Sequence, residues 1–590
     1  MPSPLISRLA IALTFTTVAS ASITGTAATA SPAPSGSQAV PARGAIVNAA
    51  RSAAFAHSAK TGLSGLSGLV ATDVMADRNG RQHVRFSQTF RGIPVMGADI
   101  VVHLSSTSGY LGVTRAADRA VSVPSVAAKV TTGQARAKAA SVVSNGSAST
   151  PRLVVRFHQG TSILAYQVGV SAGADAAASR SVLLDAVTGR VVSDAAALDE
   201  FISPKLENKL LALGERARPA KTTTTPAFAP AARRFVASYP APAVGTGASM
   251  YDGTVTLNTT QTAASSYTLT DTTRGGAQVK NAKNKSLSES SVFTGSTVMT
   301  DTDDKWGNGT TSDTNTAGVD AQYGMTSTFD FYKKTFARNG IKNDGAGPHG
   351  VVHYARDYGN AGWSDGCWCM VYGDGDGSTF TKPLTQLDVT GHELTHGVVS
   401  STAGLETDYD AAGDQIGEAG SLNESLADIF GSAVEFTTDN PTHAPNYLMG
   451  EQLGLAQGFL RRLDHPSLDK LEGTVDYWST KAPSTEVHAG SGVSSHAFYL
   501  LAEGSGSKTI GGVPYSSATY DGSKVTGIGR DKAVAIFYQA LTRYMVSSTD
   551  FHDARTATLQ AAADLYGQSG TEYAAVNKAW AAVNVTAANG

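Results

Sequence analysis

The feature that most constrains how this chain folds is a compositional break near its middle, at residues 216–247. The segment reads RARPAKTTTTPAFAPAARR and then FVASYPAPAVGTG. Such a Pro-, Thr- and Arg-rich composition favours an exposed, protease-sensitive linker. The chain has 590 residues, of which 41% are apolar and 16% charged. We therefore expect folded parts with buried cores on both sides of the break.

The two sides of the break carry opposite charge. Residues 1–235 contain 24 Lys and Arg against 11 Asp and Glu, whereas the remainder contains 22 against 38. The Arg residues of the basic side are scattered without stacking aromatics, so we predict an intramolecular partner and no nucleic acid. Electrostatic attraction is expected to contribute to docking of the basic part on the acidic part.

The first thirty residues have the pattern of a secretory signal peptide. Arg8 supplies the early positive charge, residues 9–19 form a short apolar run, and small residues follow. No later segment reaches about 18 consecutive apolar residues. We predict a secreted, extracellular protein that does not bind a membrane.

Cys367 and Cys369 are separated only by Trp368. In an oxidising compartment a local disulfide that acts as a structural clip is favoured, although the ring is tight. Redox catalysis is the alternative, but that chemistry usually uses C-x-x-C.

The segment HELTH, from His392 to His396, carries the sharpest chemical pattern. On a helix, positions i and i+4 share one face, so both imidazoles can reach one zinc ion. Glu393 then lies beside a metal-bound water. The alternative is a pair of solvent-facing histidines on an amphipathic helix.

A second predicted helix carries Glu424, Asp428 and Glu435, spaced 4 and 7 residues apart. This spacing aligns three carboxylates in one stripe on an otherwise apolar helix. Buried carboxylates are costly unless cations meet them, so the stripe indicates metal ions. A solvated acidic face is the alternative reading.

These segments together resemble the thermolysin family of secreted zinc metalloendopeptidases. The resemblance rests on the following stretches: DVTGHELTHGVVSSTAGL at 388–405, GEAGSLNESLADIFGSAVEF at 417–436, NAGW at 360–363, MVYGDGDG at 370–377 and EVHAGSGVSSHAFYLLAEG at 486–504. In the basic part, VRFSQTFRGIPVMGADI at 84–100 and LLDAVTGRVV at 183–192 resemble that family's prodomain motifs.

The resemblance implies an α+β fold. A thermolysin-like two-lobe catalytic domain, with a β-rich N-terminal lobe and a helical C-terminal lobe, would follow an α+β prodomain. The implied plan is a signal peptide at 1–30, a propeptide at 31–215 with units at about 50–120 and 130–195, a linker and processing region at 216–247, an N-terminal lobe at 248–397 that includes the HELTH helix, and a C-terminal lobe at 398–590.

The resemblance also implies roles for the central residues. His392, His396 and Glu424 match the ligands of one catalytic zinc ion. Glu393 matches the residue that takes a proton from the attacking water and passes it to the leaving amine. His488 matches the imidazole that stabilises the oxyanion.

Further matches concern the surroundings of the metal. Asp428 matches the carboxylate that holds a zinc-ligating imidazole. Asn360 and Ala361 match edge-strand positions that hold the substrate backbone, and Arg461 matches an arginine that binds a substrate carbonyl beside a hydrophobic pocket. This implies cleavage on the amino side of large hydrophobic residues.

Two departures from the family pattern concern the oxyanion residues. The segment between the HELTH helix and Glu424 is longer than in thermolysin, and Tyr409 is the available match for the oxyanion-binding tyrosine. Pro483 stands where a carboxylate normally orients His488, and Glu486 is the candidate substitute.

The resemblance implies structural calcium as well. Asp388, Glu435 and Glu451 match ligands of a buried double calcium site. Asn446 stands where an aspartate is expected, and a neutral ligand favours one ion over two.

The implied partners are protein or peptide substrates and the chain's own propeptide, which would act as intramolecular inhibitor and folding aid in a monomer. We predict self-cleavage within the linker, before Phe235 or Tyr239. A secreted zinc-binding module without turnover is the rival from another class, and the metzincin arrangement fails because position 402 is Thr.

Overall fold

The computed structural model describes residues 43–172, 175–214, 239–410 and 412–587. The predicted signal peptide and residues 216–238 of the predicted linker, which include Phe235, lie outside these ranges. Among the described helices, none has the length and apolar character needed to cross a membrane.

The described residues from 43 to 214, called the prosegment below, contain a ten-stranded sheet with helices packed against it. Two hydrophobic clusters lie in the prosegment, one with residues from Ile46 to Val113 and one with residues from Phe90 to Val191. Its strands are Ser67–Ala76, Gln82–Phe90, Ile93–Met96, Ile100–Leu104, Tyr110–Arg115, Ser147–Ala148, Arg152–His158, Thr161–Ala172, Asp175–Asp185 and Val191–Ala196, and its helices are Arg43–Ala56, Ser58–Thr61, Thr132–Ala140 and Pro204–Gly214.

The N-terminal lobe contains a five-stranded and a seven-stranded sheet. Its strands are Ala241–Ala248, Thr254–Ala263, Ser266–Thr268, Thr270–Asp271, Ala277–Lys285, Thr297–Val298, Thr300–Asp301, Lys305–Trp306, His349–Tyr354, Ala361–Ser364 and Cys369–Tyr372. Strand Ala241–Ala248 pairs with Thr254–Ala263 along its whole length, so the folded lobe begins inside the segment expected as linker.

The prosegment supplies one strand of the seven-stranded sheet. Residues Asp199–Glu200 pair antiparallel with Ala361–Ser364, the strand that would otherwise form the sheet edge. The prosegment and the N-terminal lobe are therefore joined by backbone hydrogen bonds as well as by side chains.

Helices dominate the second lobe, as the sequence predicts. Two long helices around the lobe junction are Leu387–Ser400 and Glu418–Thr438, and they are preceded by helices Val292–Gly295 and Asn315–Phe336. The helices that follow are Val487–Gly490, Gly492–Ala502, Arg530–Arg543, Phe551–Tyr566 and Thr571–Ala582. Short 3-10 helices lie at Thr272–Arg274, Glu451–Leu453, Pro466–Leu468 and Ala482–Ser484. Short strand pairs are Asp408–Tyr409 with Gln415–Ile416, Leu448–Met449 with Arg461–Arg462, and Gly506–Ile510 with Val513–Ser517. One continuous core, from Phe201 to Val585, joins both lobes.

Glycines allow the two long helices to approach closely. A Cβ atom on Gly391 would lie 3.0 Å from the Cα atom of Gly431, and one on Gly431 would lie 2.7 Å from the carbonyl oxygen of Asp388. Both contacts are too close for a larger residue without a backbone shift. The close approach brings the HELTH face against the carboxylate stripe.

The predicted clip is confirmed, because Cys367 and Cys369 form a disulfide. The Gly- and Asp-rich run GDGDG at residues 373–377 follows the edge strand and by itself predicts a hairpin turn, and that prediction is wrong. The turn that joins strands Ala361–Ser364 and Cys369–Tyr372 lies at residues 365–368, and 373–377 form an irregular loop. In that loop the Asp376 carboxylate accepts bonds from three following backbone N–H groups.

Cationic prosegment side chains meet anionic groups and helix carbonyls of the second lobe. Arg156 pairs with Glu406, and Arg81 pairs with Asp564. The buried Arg85 guanidinium donates to the carbonyl oxygens of Thr542 and Met545, at 3.3 and 2.8 Å. These contacts agree with the opposite charges of the two parts.

A histidine pair is buried at the same interface. The Nδ1 atoms of His83 and His103 lie 2.8 Å apart, and the Nε2 of His83 lies 2.9 Å from the Asp77 carboxylate, which also accepts from Arg543. The ring of Tyr544 covers both imidazoles. Only one of two Nδ1 atoms in contact can carry a proton, so His103 must be neutral when His83 is protonated.

We predict that acid weakens the precursor through His103. Burial, with the charges of His83 and Arg85, lowers the pKa of His103 to about 3, whereas an unfolded histidine titrates near about 6.5. The stabilising contribution is therefore complete above about pH 6.5 and declines as the pH falls towards 3, by about 1–2 kcal/mol at pH 5. Urea unfolding of wild type and His103→Asn at several pH values measures it.

The exposed His57 provides the control, since His57→Asn should retain the wild-type pH dependence. A His103→Asn precursor whose stability falls with acid as steeply as the wild type would contradict this prediction.

Candidate metal centre and cleft

The two long helices bring three candidate ligands together. The Nε2 atoms of His392 and His396 lie 3.0 Å apart. The Glu424 carboxylate lies 3.4 Å from the first and 3.8 Å from the second. All three residues are buried, so the alternative of solvent-facing histidines is wrong.

Hydrogen bonds fix which imidazole nitrogens face inward. Nδ1 of His392 lies 2.8 Å from the Asp428 carboxylate, and Nδ1 of His396 lies 3.1 Å from the side-chain oxygen of Asn423. Both Nδ1 atoms therefore donate, and both Nε2 atoms present lone pairs to each other and to Glu424. Facing lone pairs beside a carboxylate repel unless a cation lies between them, so the donor set fits zinc.

The sequence did not single out Asn423 as a functional residue. Its i−1 position before Glu424 on the same helix was the available indication, because a zinc-ligating imidazole needs an acceptor for its other nitrogen.

The carboxylate of Glu393 is buried beside the three candidate ligands without hydrogen-bond partners among the described residues. Both of its carboxylate oxygens are buried and lack a hydrogen-bond partner among the described residues, as does one oxygen of Glu424. Burial, and then the negative charge of Glu424, raises the pKa of Glu393 well above its usual value. Such orphaned oxygens fit a metal ion and its water, which would satisfy them.

Asp428 links the centre to Arg461. The guanidinium of Arg461 donates to both Asp428 oxygens, from Nε and Nη2, at 2.9 Å each. Burial alone would raise the pKa of Asp428, but the charge of Arg461 and the contacts with His392 together outweigh burial and lower the pKa. Asp428 is thereby kept ionised and can orient the His392 ring.

His488 is positioned by Glu486, the candidate substitute for the displaced carboxylate. Nδ1 of His488 lies 2.7 Å from Glu486 Oε1, and the other Glu486 oxygen accepts from the backbone N–H groups of His488 and Ala489. Against the effect of burial, Glu424 and Glu486 raise the pKa of His488 well above its usual value. The contacts of Nδ1 orient the ring so that Nε2 points into the cleft.

Asn360, Ala361 and Arg461 all hold the prosegment. The carbonyl of Ala361 accepts from the N–H of Phe201 at 3.1 Å. The Asn360 side chain bonds both the N–H and the carbonyl of Ile202, at 3.1 and 3.0 Å. Nη1 of Arg461 donates to the carbonyl of Phe201 at 2.8 Å. The residues expected to hold a substrate backbone therefore hold residues 200–202 of this chain.

Tyr409 lies near the cleft, in the short strand Asp408–Tyr409. Its hydroxyl forms hydrogen bonds with the backbone of Ala196 and the side chain of Gln415. Burial raises the pKa of Tyr409 to about 12. Ala196 belongs to the prosegment, and Gln415 lies opposite Tyr409 in the short strand pair.

The candidate calcium ligands surround a histidine that the sequence reasoning missed. Nε2 of His443 lies 2.6 Å from Glu451 and 3.2 Å from Glu435. Hydrogen bonds to Glu435 and Glu451 raise the pKa of His443 to about 10. Asn446 donates to Glu451 at 2.8 Å, and both Asp388 oxygens accept backbone N–H groups. The His443 side chain therefore lies among the expected calcium ligands, and its raised pKa favours the protonated, positively charged form.

A two-lobed fold with buried H-E-x-x-H ligands at the lobe junction, and a prosegment in the cleft, defines a metallopeptidase precursor. Residues 244–400 match the thermolysin metallopeptidase catalytic domain, 415–585 its alpha-helical domain, and 67–116 the fungalysin/thermolysin propeptide motif. The chain belongs to the thermolysin family of metallopeptidases. The predicted α+β fold with a propeptide, a β-rich lobe and a helical lobe is thereby confirmed.

Several relatives are similar over most of this chain. Transglutaminase-activating metalloprotease of Streptomyces mobaraensis is 40% identical, over 90% of this chain and 63% of its own length. Thermolysin of Bacillus sp. (strain EA1) is 32% identical, over 86% of this chain and 84% of its own. Bacillolysin of Bacillus cereus is 39% identical, over 58% and 55%. The chain thus spans about half to two thirds of the length of two of these relatives.

Among solved structures, the precursor of protealysin from Serratia proteamaculans is 28% identical. It covers 52% of this chain and 87% of its own, with a TM-score of 0.39.

We predict that Asn423→Ala lowers zinc affinity by about 10- to 100-fold, because the His396 ring loses the acceptor that fixes its orientation. Competition with a chromogenic chelator measures the affinity. Asn423→Asp keeps an acceptor and should remain close to wild type, whereas equal zinc affinity in Asn423→Ala and wild type would contradict the assigned role.

Proposed function

We propose that this chain is the precursor of a secreted zinc-dependent endopeptidase. The observation that carries the proposal is the buried cluster of His392, His396 and Glu424, with unpaired Glu393 oxygens beside it. Family membership supports zinc as the metal. The Cys367–Cys369 disulfide and the N-terminal pattern support export to an oxidising compartment.

The proposed chemistry assigns one task to each residue. Zinc held by the three ligands would polarise the scissile carbonyl and acidify a bound water. Glu393 accepts the water proton and delivers it to the leaving amine; a carboxyl with a raised pKa suits both steps. His488 donates Nε2–H to the developing oxyanion, and Arg461 and Asn360 hold the substrate backbone.

The proposed precursor has the plan set out from the sequence: signal peptide, two-unit propeptide, linker and two-lobe catalytic domain. Strand Ala241–Ala248 belongs to the folded lobe, so in this proposal the linker that starts at residue 216 ends before Ala241. Occupation of the cleft by residues 199–203 supports inhibition by the propeptide. The burial of Phe201 beside Arg461 supports a preference for large apolar residues on the carboxyl side of the cleaved bond.

Hydrolysis of casein by the processed protein tests the proposed activity. Activity should disappear with a zinc chelator, return with zinc, and fall at least about 100-fold in Glu393→Ala, because the proton acceptor is lost. A zinc titration of the variant checks that the metal site remains intact. Full activity in Glu393→Ala would exclude the mechanism, and inactivity of processed, zinc-loaded wild type would favour a binding module without turnover.

We also propose that calcium at Asp388, Glu435 and Glu451 competes with the His443 side chain. Calcium prefers several oxygen ligands and gains little from a site that already contains a cation. In His443→Gln the carboxylates lose that cation, so millimolar calcium should raise the unfolding temperature more than in wild type.

The double variant His443→Gln/Glu451→Gln is the control, and it should lose the added calcium response. An equal calcium response in wild type and His443→Gln would contradict the competition.

A further inference from the structure

The prosegment crosses the cleft as an extended strand. Asp199 and Glu200 lie opposite Trp363 and Gly362 in an antiparallel ladder. The next residues, Phe201 and Ile202, are fully buried in the core that joins the lobes. The segment 199–202 is therefore held by strand pairing in its first half and by burial of its side chains in its second half.

The carbonyl of Glu200 accepts a hydrogen bond from His488, the residue proposed to stabilise the oxyanion. Nε2 of His488 lies 2.8 Å from the carbonyl oxygen of Glu200. Nδ1 of the same ring lies 2.7 Å from Glu486, which orients His488 so that Nε2 faces this carbonyl. In the proposed mechanism, His488 binds the carbonyl oxygen of the peptide bond that is cleaved. The Glu200 carbonyl belongs to the peptide bond between Glu200 and Phe201.

The residue after that bond occupies the expected apolar pocket. The Phe201 ring centroid lies 4.8 Å from the Arg461 guanidinium and 5.2 Å from the His392 ring. A Cβ atom on Gly450 would lie 3.3 Å from the Phe201 ring and 3.4 Å from Leu460. The ring thus fills a tight pocket beside a zinc-ligand candidate, where a large apolar side chain is required.

Four independent contacts therefore give the same register. Ala361 accepts the Phe201 N–H, Asn360 binds Ile202, Arg461 binds the Phe201 carbonyl and His488 binds the Glu200 carbonyl. A merely obstructing segment would have no reason to satisfy all of them.

We propose that Glu200–Phe201 is an internal cleavage site, hydrolysed by this chain's own centre; the inference rests on the proposed endopeptidase function. Water adds its oxygen to the Glu200 carbonyl carbon, and the C–N bond to Phe201 breaks. Glu393 transfers the water proton to the departing Phe201 amine. The products are a chain that ends at the Glu200 carboxylate and one that begins at the Phe201 amine.

This site orders the processing events. The cleft holds Glu200–Phe201, so it cannot hold the linker segment 216–247 of the same molecule at the same time. Cleavage at Glu200–Phe201 is intramolecular and precedes cleavage before Phe235 or Tyr239. The linker is cut after the strand 199–202 leaves the cleft or by a second molecule.

Mass spectrometry of the full-length precursor tests the order of cuts. The precursor is purified with chelator, supplied with zinc and quenched with acid at intervals over a range of protein concentrations. We expect fragments that end at Glu200 and begin at Phe201 to appear before any linker fragment, at a rate independent of concentration. Linker cuts without, or before, the Glu200–Phe201 cut overturn the proposal.

Two substitutions of one residue sharpen this test. Phe201→Ala empties the pocket and should slow the cut at this bond at least about tenfold, whereas Phe201→Leu keeps a large apolar group and should cut close to the wild-type rate. Phe235→Ala, in the linker, should leave the Glu200–Phe201 rate unchanged. If the bond after Glu200 is cut at equal rates in Phe201→Ala and Phe201→Leu, the proposal that residue 201 occupies the apolar pocket during cleavage is overturned.

Hydrogen exchange of the full-length Glu393→Gln precursor provides a readout that does not require turnover. The N–H groups of Phe201 and Ile202 should be protected, because each donates to an acceptor in the cleft. Phe201→Ala in the same background should lower protection of Ile202, and Phe201→Leu should not. Exchange at the rate of exposed amides in the Glu393→Gln precursor overturns the proposal.

Casein hydrolysis by the processed protein separates the two failures. An enzyme that hydrolyses casein but leaves Glu200–Phe201 intact in its precursor overturns the internal site and retains the proposed function. A zinc-loaded protein that does neither overturns both.

Discussion

The whole site depends on one buried ionic contact, the pairing of Asp428 with Arg461. Asp428 is fully buried on the carboxylate-bearing helix, and its oxygens are satisfied by Arg461 and by His392. A buried carboxylate deprived of such a partner is strongly destabilising. Asp428 orients the His392 ring, and Arg461 donates from Nη1 to the Phe201 carbonyl in the cleft. The pair therefore connects the metal centre with the position of the substrate. Helix packing, ligand orientation and cleft geometry therefore cannot vary independently.

The prosegment uses the same groups that a substrate would use. In its absence, Arg461 Nη1, the Asn360 amide and the Ala361 carbonyl would lose their present partners in the cleft. Occupation by residues 199–202 satisfies them with backbone groups and fills the apolar pocket with Phe201. The propeptide is thus bound by the specificity of the cleft itself, while Arg85 and the His83–His103 pair bind it at a distance from the cleft. The propeptide is therefore held by two separate sets of contacts, one in the cleft and one away from it.

The sequence predicted the elements that periodicity defines. Hydrophobic periodicity predicts helices at 385–400 and 420–437 for the HELTH segment and the carboxylate stripe, and they lie at Leu387–Ser400 and Glu418–Thr438. For an earlier helix the sequence predicts a start near Thr326, whereas it begins at Asn315. The sequence does not reveal this first part because it contains Gly318 and Gly324, and glycine is a poor helix former. Those glycines are required by the close approach of Met299 and Thr390. Tertiary contacts of this kind cannot be read from local propensity.

Contacts between distant segments were the other limit. Nothing in the sequence of residues 199–202 distinguishes them from the rest of the prosegment, because backbone N–H and carbonyl groups make their main polar contacts. His443 likewise lies among residues of ordinary loop composition, and its role follows only from the two carboxylates that fold around it. Both cases follow one rule: a buried polar group is satisfied by whichever donor or acceptor the fold brings near. Sequence motifs identify the chemistry of a centre, whereas the groups that cover or neutralise it depend on the tertiary fold.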